Sequence, residues 1–150
     1  MKTEPVTFYS EGVRLAGDLY LPAKQQKPVP AVLLCHGYTG LRRLYMPDVA
    51  RRLVAAGYAA LAFDYKGWGD SEGPPFRLDP YGRVADAAAG LAYLAHRQEI
   101  ASDQIGAFGW SYGAGTAIWL AAHERQVKAV VGAVGVGDGT RWLRGVRTEA

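Results

Sequence analysis

Four short apolar runs alternate with helix-like segments along this chain, and that alternation narrows the available folds more than any other feature. The runs are Ala31–Cys35, Ala59–Phe63, Ile105–Trp110 and Val127–Val136. They are continuous rather than period-two, which suits strands buried on both faces. Between them lie three helical segments. The first runs from Pro47 to Ala56, with proline in the first helical position, Asp48 in the first turn and Gly57 just past the end. The second runs from Tyr81 to Arg97, with Val84, Ala88, Leu91, Ala92 and Ala95 on one face. The third, Tyr112 to Glu124, is nearly all apolar. Ahead of these, Val6–Ser10 and Val13–Leu21 read as a hairpin turned by Glu11 and Gly12, and Pro22–Pro30 as a loop. The expectation is an α/β fold over residues 1–150: one domain, a mostly parallel sheet with an N-terminal antiparallel hairpin, and helices on both faces. Ligands of such sheets bind beyond the carboxyl ends of the strands.

Composition fits this reading. With 150 residues, 49% hydrophobic and 21% charged, the chain can build a core without staples. Its 19 glycines follow no collagen period, so they mark tight turns and close backbone approaches. The net charge of +3 comes without a long basic run. Arg42-Arg43, Arg51-Arg52 and the later Arg141, Arg144 and Arg147 read as solvated surface, and no nucleic-acid stripe is expected. The single cysteine, Cys35, sits in an apolar run and reads as a buried small hydrophobe. No signal peptide or membrane-spanning run is visible, so the cytoplasm is the default location. No His, Cys or acid cluster has metal-ligand spacing, and no cofactor is expected.

The chemistry should follow the strands. After the third run comes Gly109-Trp110-Ser111-Tyr112-Gly113, a G-x-S-x-G pattern between a strand and a helix. A serine on so sharp a turn needs neighbours with almost no side chain, and the new helix offers N–H groups to a developing negative charge. The pattern occurs twice. Gly69-Asp70-Ser71-Glu72-Gly73 also fits, but Pro74-Pro75 follow and no helix opens, so Ser71 reads as a loop residue. The bland reading of Ser111 is a packing turn with an incidental serine. After the first run comes His36-Gly37-Tyr38-Thr39-Gly40. There the N–H of Tyr38 can face the elbow and, with that of Tyr112, form an oxyanion hole. His36 reads as a brace for this loop. Trp68, Trp110, Tyr38 and Tyr112 read either as an aromatic-lined site or as core.

These two segments, in this order, resemble the α/β-hydrolase superfamily, in particular its dienelactone-hydrolase-like and prolyl-oligopeptidase-like esterase branches. A third segment, Phe63–Gly73, is similar to the family's D-x-R-G-x-G-x-S-x-G loop, with Lys66 where arginine is usual. That departure weakens a specific salt bridge, because lysine lacks the planar fork. The resemblance implies a Ser, then Asp or Glu, then His triad. Only His123 follows Ser111, and at about 1.5 Å per residue along the helix it is roughly 18 Å away. His96 reads as a surface residue. Asp138, in a glycine-rich turn after the last run, is a candidate acid, with a plain turn residue as the favoured reading. The chain therefore reads as the N-terminal half of a larger hydrolase, with the remaining acid and histidine on a C-terminal half or a second chain. The expected function is cleavage of an ester-type bond in a small-molecule acyl substrate through an acyl-enzyme on Ser111. Alternatives on the same fold are a non-catalytic binding module, an acyltransferase, a carbon–carbon hydrolase and a perhydrolase.

Overall fold

The computed structural model describes residues 1–24 and 27–146. In chain order the elements are β1 (Lys2–Ser10), β2 (Val13–Leu21), β3 (Val29–Cys35), α1 (Met46–Ala55), β4 (Ala59–Phe63), α2 (Pro80–Ala95), β5 (Ile100–Trp110), α3 (Tyr112–His123), β6 (Val127–Ala133) and α4 (Gly139–Val146). The strands form one sheet in the order β1-β2-β4-β3-β5-β6. β1 runs antiparallel to β2 and β2 antiparallel to β4, while the pairs β3–β4, β3–β5 and β5–β6 are parallel. This is the expected mixed sheet with its antiparallel hairpin at one edge.

Alternating side chains in the central strands separate two cores. Ala59, Leu61 and Phe63 of β4 join Leu33 and Cys35 of β3 under α2 and α3, against Leu91, Leu94, Ala117 and Leu120. Ala60 and Ala62 face the other way and meet Leu34 with Met46 and Ala50 of α1. Two alanines on that face of β4 let α1 lie close to the sheet. Leu33 and Leu61 are fully buried, and each such side chain contributes roughly 1.5–3 kcal/mol.

The structure corrects several sequence expectations. The buried face of α2 is Arg83, Asp86, Ala87, Gly90, Leu91 and Leu94; of the expected stripe Leu91 is buried, Ala88 and Ala95 pack partly buried against the core, Val84 is half-buried and Ala92 is exposed. The run of alanines gave apolar periodicity little contrast, and two charged residues turn inward. β1 begins at Lys2 and β3 at Val29, so the loop between β2 and β3 is shorter than expected. The last strand ends at Ala133, and α4 follows, a helix the sequence did not announce. Arg141 and Arg144 lie in α4 and are exposed; Arg147 lies outside the described residues. Arg42 is not a surface charge but 4% exposed. Among the described residues, β6 has β5 as its only neighbour, and Val131 and Ile118 beside it are more than half exposed.

Candidate active site

β5 ends at Trp110 and α3 begins at Tyr112, so a single residue makes the strand-to-helix turn. Ser111 makes it at φ 53° and ψ −121°. A residue with a side chain rarely enters that region, and holding it there costs about 1–3 kcal/mol. The surrounding hydrogen bonds over-determine the conformation. The Ser111 N–H donates to the Ala133 carbonyl at 2.8 Å, and the Ser111 carbonyl accepts from Ala114 N–H at 3.0 Å. The flanking glycines are needed for space. A Cβ on Gly109 would lie 2.2 Å from the Gly113 carbonyl oxygen, and one on Gly113 would lie 2.1 Å from that of Cys35. Strand, helix and the loop after β3 thus meet backbone to backbone around the serine.

That loop brings Gly37 to the elbow: a Cβ there would sit 3.3 Å from Ser111 Cβ. Tyr38 follows directly. Burial, then the nearby Arg83 cation, lower the His36 pKa to about 3. Its Nδ1 lies 2.9 Å from the Gly37 carbonyl oxygen, which can only accept, so Nδ1 carries the proton of a neutral ring. The ring also packs edge-on against Tyr65 at 4.7 Å. His96 and His123 each bond a carbonyl of their own helix, Ala92 and Trp119. All three histidines of the chain are therefore engaged with main-chain oxygens. The Cys35 thiol is fully buried, and burial pushes its pKa up to about 11.

Two buried arginines brace the loops of this end of the sheet, Arg83 directly beside the elbow. Arg83 of α2 is 2% exposed. Its Nη2 donates to the carbonyls of His36 at 2.6 Å and Gly37 at 3.1 Å. Its guanidinium carbon lies 3.6 Å from the Tyr65 ring centroid and 5.4 Å from that of Tyr112. Arg42 spreads its guanidinium over three acids. Nε bonds Asp18 at 3.0 Å, Nη2 bonds Asp70 at 2.8 Å and Nη1 bonds Asp64. The Arg42 N–H also donates to Asp64 at 2.8 Å. Asp70, held by Arg42, has its carboxyl below the usual range. No sequence signal singles out either arginine, because their partners are scattered along the chain. Lys66 pairs with Asp86 at 3.3 Å and with Glu11, so the lysine variant of the loop keeps an ion pair.

The aromatic residues separate. Tyr38 centres a group with Trp68 at 6.3 Å, Tyr112 at 6.5 Å and Trp142 at 6.1 Å. Trp110 leaves that group and stacks on Tyr45. A cleft of about 450 Å³ opens between α2, α3 and α4, lined by Leu78, Val84, Tyr112, Trp119 and Val136 among others, none of them charged. Asp138 is exposed; its carboxylate accepts from Arg141 N–H at 2.9 Å and its carbonyl from Trp142 N–H, so it caps the start of α4. Among the described residues no group of three or more His, Cys, Asp or Glu could hold a metal ion. No described helix is long and apolar enough to cross a membrane.

The mixed sheet, the helices on both faces and the serine elbow at the end of β5 define an α/β-hydrolase. Residues 11–148 match the X-Pro dipeptidyl-peptidase (S15) family, and the chain belongs to it. It is 35% identical over 135 residues to the quorum-quenching protein AidA of Acinetobacter baumannii, covering 89% of this chain and 44% of that protein. Among solved structures, the hypothetical protein PA2218 from Pseudomonas aeruginosa superposes with a TM-score of 0.85 at 28% identity, over 90% of this chain and 43% of that one. The Pyrococcus furiosus esterase PF2001 superposes with a TM-score of 0.79 at 25% identity, over 97% of this chain and 56% of that one. The chain spans less than half the length of the curated relatives it matches first.

Proposed function

We propose that this chain is the nucleophile-bearing part of a serine hydrolase that cleaves an ester-type acyl bond. The observation that carries the reading is Ser111 at φ 53°, alone on the turn between β5 and α3 with Gly37 packed against it. Ser111 Oγ attacks the acyl carbon and forms an acyl-enzyme. The N–H groups of Tyr38 and Tyr112 stabilise the oxyanion, each worth about 2.7–4 kcal/mol by analogy with single-donor deletions. A histidine and an acid from outside residues 1–150 take the serine proton, and water releases the acyl group. Two facts support placing the base elsewhere: His36 is buried with its pKa lowered to about 3 while His96 and His123 bond carbonyls of their own helices, and the matched part covers only 42–44% of the first relatives. Asp138 caps α4 in this reading rather than serving as the acid. The substrate is a small acyl compound, the site needs no cofactor, and neither nucleic acid nor membrane takes part.

The test is intact-mass analysis after a fluorophosphonate serine probe. The chain alone should gain no adduct. Without a triad member, only about 10³–10⁴-fold acceleration over water remains. The complete protein should gain a single adduct that disappears in Ser111→Ala. A folded complete protein that stays unlabelled sinks the hydrolase reading. An adduct on the chain alone keeps the hydrolase but overturns the external base.

A further inference from the structure

We infer that Arg83 is a positioning residue that aims and strengthens the Tyr38 oxyanion donor by clamping the other end of the same peptide bond. The inference rests on the Ser111 reading above. The peptide unit joining Gly37 to Tyr38 carries the Gly37 carbonyl and the Tyr38 N–H. A planar trans peptide points these two groups in opposite directions, and the described chain has no cis peptide bond. Fixing the oxygen therefore fixes where the N–H aims. The Gly37 oxygen accepts from Arg83 Nη2 at 3.1 Å, His36 Nδ1 at 2.9 Å and the Gly40 N–H at 3.4 Å. Arg83 Nη2 also holds the preceding carbonyl, that of His36, at 2.6 Å. Two consecutive peptides beside the elbow are tied to one guanidinium.

The charge matters as well as the geometry. A cation on an amide oxygen draws electron density through the peptide resonance, so the N–H at the far side becomes a better donor. Among the described residues no carboxylate pairs with Arg83, and its Nε and Nη1 find no protein acceptor. Its charge is thus not cancelled by a salt bridge and acts on the two carbonyls. Burying an arginine this way, without an acid partner, is costly for stability. Its position is well fixed. The guanidinium is stacked on Tyr65, and the first turn of α2 is capped by Asp79, whose carboxylate accepts from the N–H groups of Tyr81 and Gly82.

The experiment compares wild type, Arg83→Met, Arg83→Lys and Ser111→Ala in the complete protein. It reads kcat and KM on p-nitrophenyl acetate per titrated active site, and Ki for a trifluoromethyl ketone, whose adduct places an oxyanion in the hole. Arg83→Met should lower kcat about 30-fold, less than the 10²–10³ of losing a donor outright. KM should stay within about twofold and Ki should rise by about the same factor as kcat falls. Arg83→Lys keeps a cation but not the fork, and should recover part of kcat and Ki together. A purely structural role would lower the number of titratable sites and the melting temperature while leaving per-site kcat unchanged. Per-site kcat within about twofold of wild type in Arg83→Met overturns the clamp. If the methionine variant does not fold, the lysine variant decides: kcat and Ki that both match wild type overturn it. Turnover that survives Ser111→Ala overturns the hydrolase reading itself, an outcome separate from either Arg83 result.

Discussion

The chain carries the same five-residue pattern twice, and the two copies divide strain in opposite ways. In 109–113 the serine takes the left-handed conformation, while the glycines stay at ordinary φ and are needed because backbone crowds them. In 69–73 the glycines take positive φ, at +54° and +115°, and the serine does not. Ser71 turns inward: its Oγ donates to the Asp64 carbonyl at 2.6 Å and accepts from Ala16 N–H at 2.9 Å. The second loop is stitched to β2 and to Asp64 by a hydroxyl that both donates and accepts. The first presents its serine at a junction of three backbones. A pattern of glycines and serine therefore specifies a tight turn, and the neighbouring elements decide whether the serine is structural or presented for chemistry.

Crowding at the glycines gives the largest expected contrast. Gly113→Ala pushes a methyl against the backbone carbonyls of Cys35 and His36, at 2.1 and 2.5 Å, which no side-chain adjustment relieves. It should destabilise the chain by about 3–5 kcal/mol in urea unfolding, or prevent folding. Gly73→Ala meets the Gly67 backbone nitrogen at 3.1 Å, a tight contact but far milder than at Gly113, and is strained by its φ as well. It should cost about 1–2 kcal/mol. Equal costs at the two sites would break the division drawn above.

The next effect concerns the loop that meets the elbow. His36 has a folded-state pKa of about 3, against about 6.5 unfolded. Between those values the unfolded chain binds more protons. Stability should be complete above about pH 6.5, then fall by a few kcal/mol as the pH drops toward 3. His36→Gln should flatten that part of the profile, measured as unfolding free energy against pH. Asp70 adds to acid sensitivity in the same direction: its carboxyl is held below the usual range by Arg42, so its contribution is lost only at the acid end. An unchanged slope in His36→Gln would mean that the neutral ring is not what ties this loop down.

Smaller, and opposite in kind, is the loss at the other serine. Ser71→Ala removes a donor and leaves the Ala16 N–H without its acceptor, which should cost about 1–2 kcal/mol. Fluorophosphonate labelling of the complete protein should be unaffected by it.

What could be read in the sequence follows from where the determining interactions lie. The central strands were legible because burial on both faces leaves a continuous apolar run, as in Ala59–Phe63, whereas the run in β6 marks a strand that is mostly exposed among the described residues. The elbow was legible because a turn this tight demands its glycines within two residues of the serine. Arg42 and Arg83 were not, because a buried cation is recognised by its partners, and those lie at Asp18, Asp64, Asp70, His36 and Gly37. The face of α2 was misplaced for a related reason: among alanines, the inward turn of Arg83 and Asp86 is set by the loop and lysine they meet. α4 was missed because Gly139–Val146 opens on glycine and holds a second one near its end, and glycine weakens helix propensity. In sequence, its capping Asp138 fits a candidate acid or a plain turn residue as well as a helix start.

The smallest expected effect bears most directly on the contrast between the serines. If Ser111 is held in a conformation that only glycine adopts freely, Ser111→Gly should relieve strain and stabilise the chain by about 1 kcal/mol. Glycine also widens the unfolded ensemble, which offsets part of that gain, so the reference is Ser111→Ala, which keeps the Cβ and the strain. Glycine should be the more stable of the two in urea unfolding, and both should abolish labelling of the complete protein. At position 71 the same pair should rank the other way, because Ser71 does not take the positive φ and glycine gains nothing there. Alanine more stable than glycine at 111 would place the strain of the elbow on its neighbours rather than on the serine.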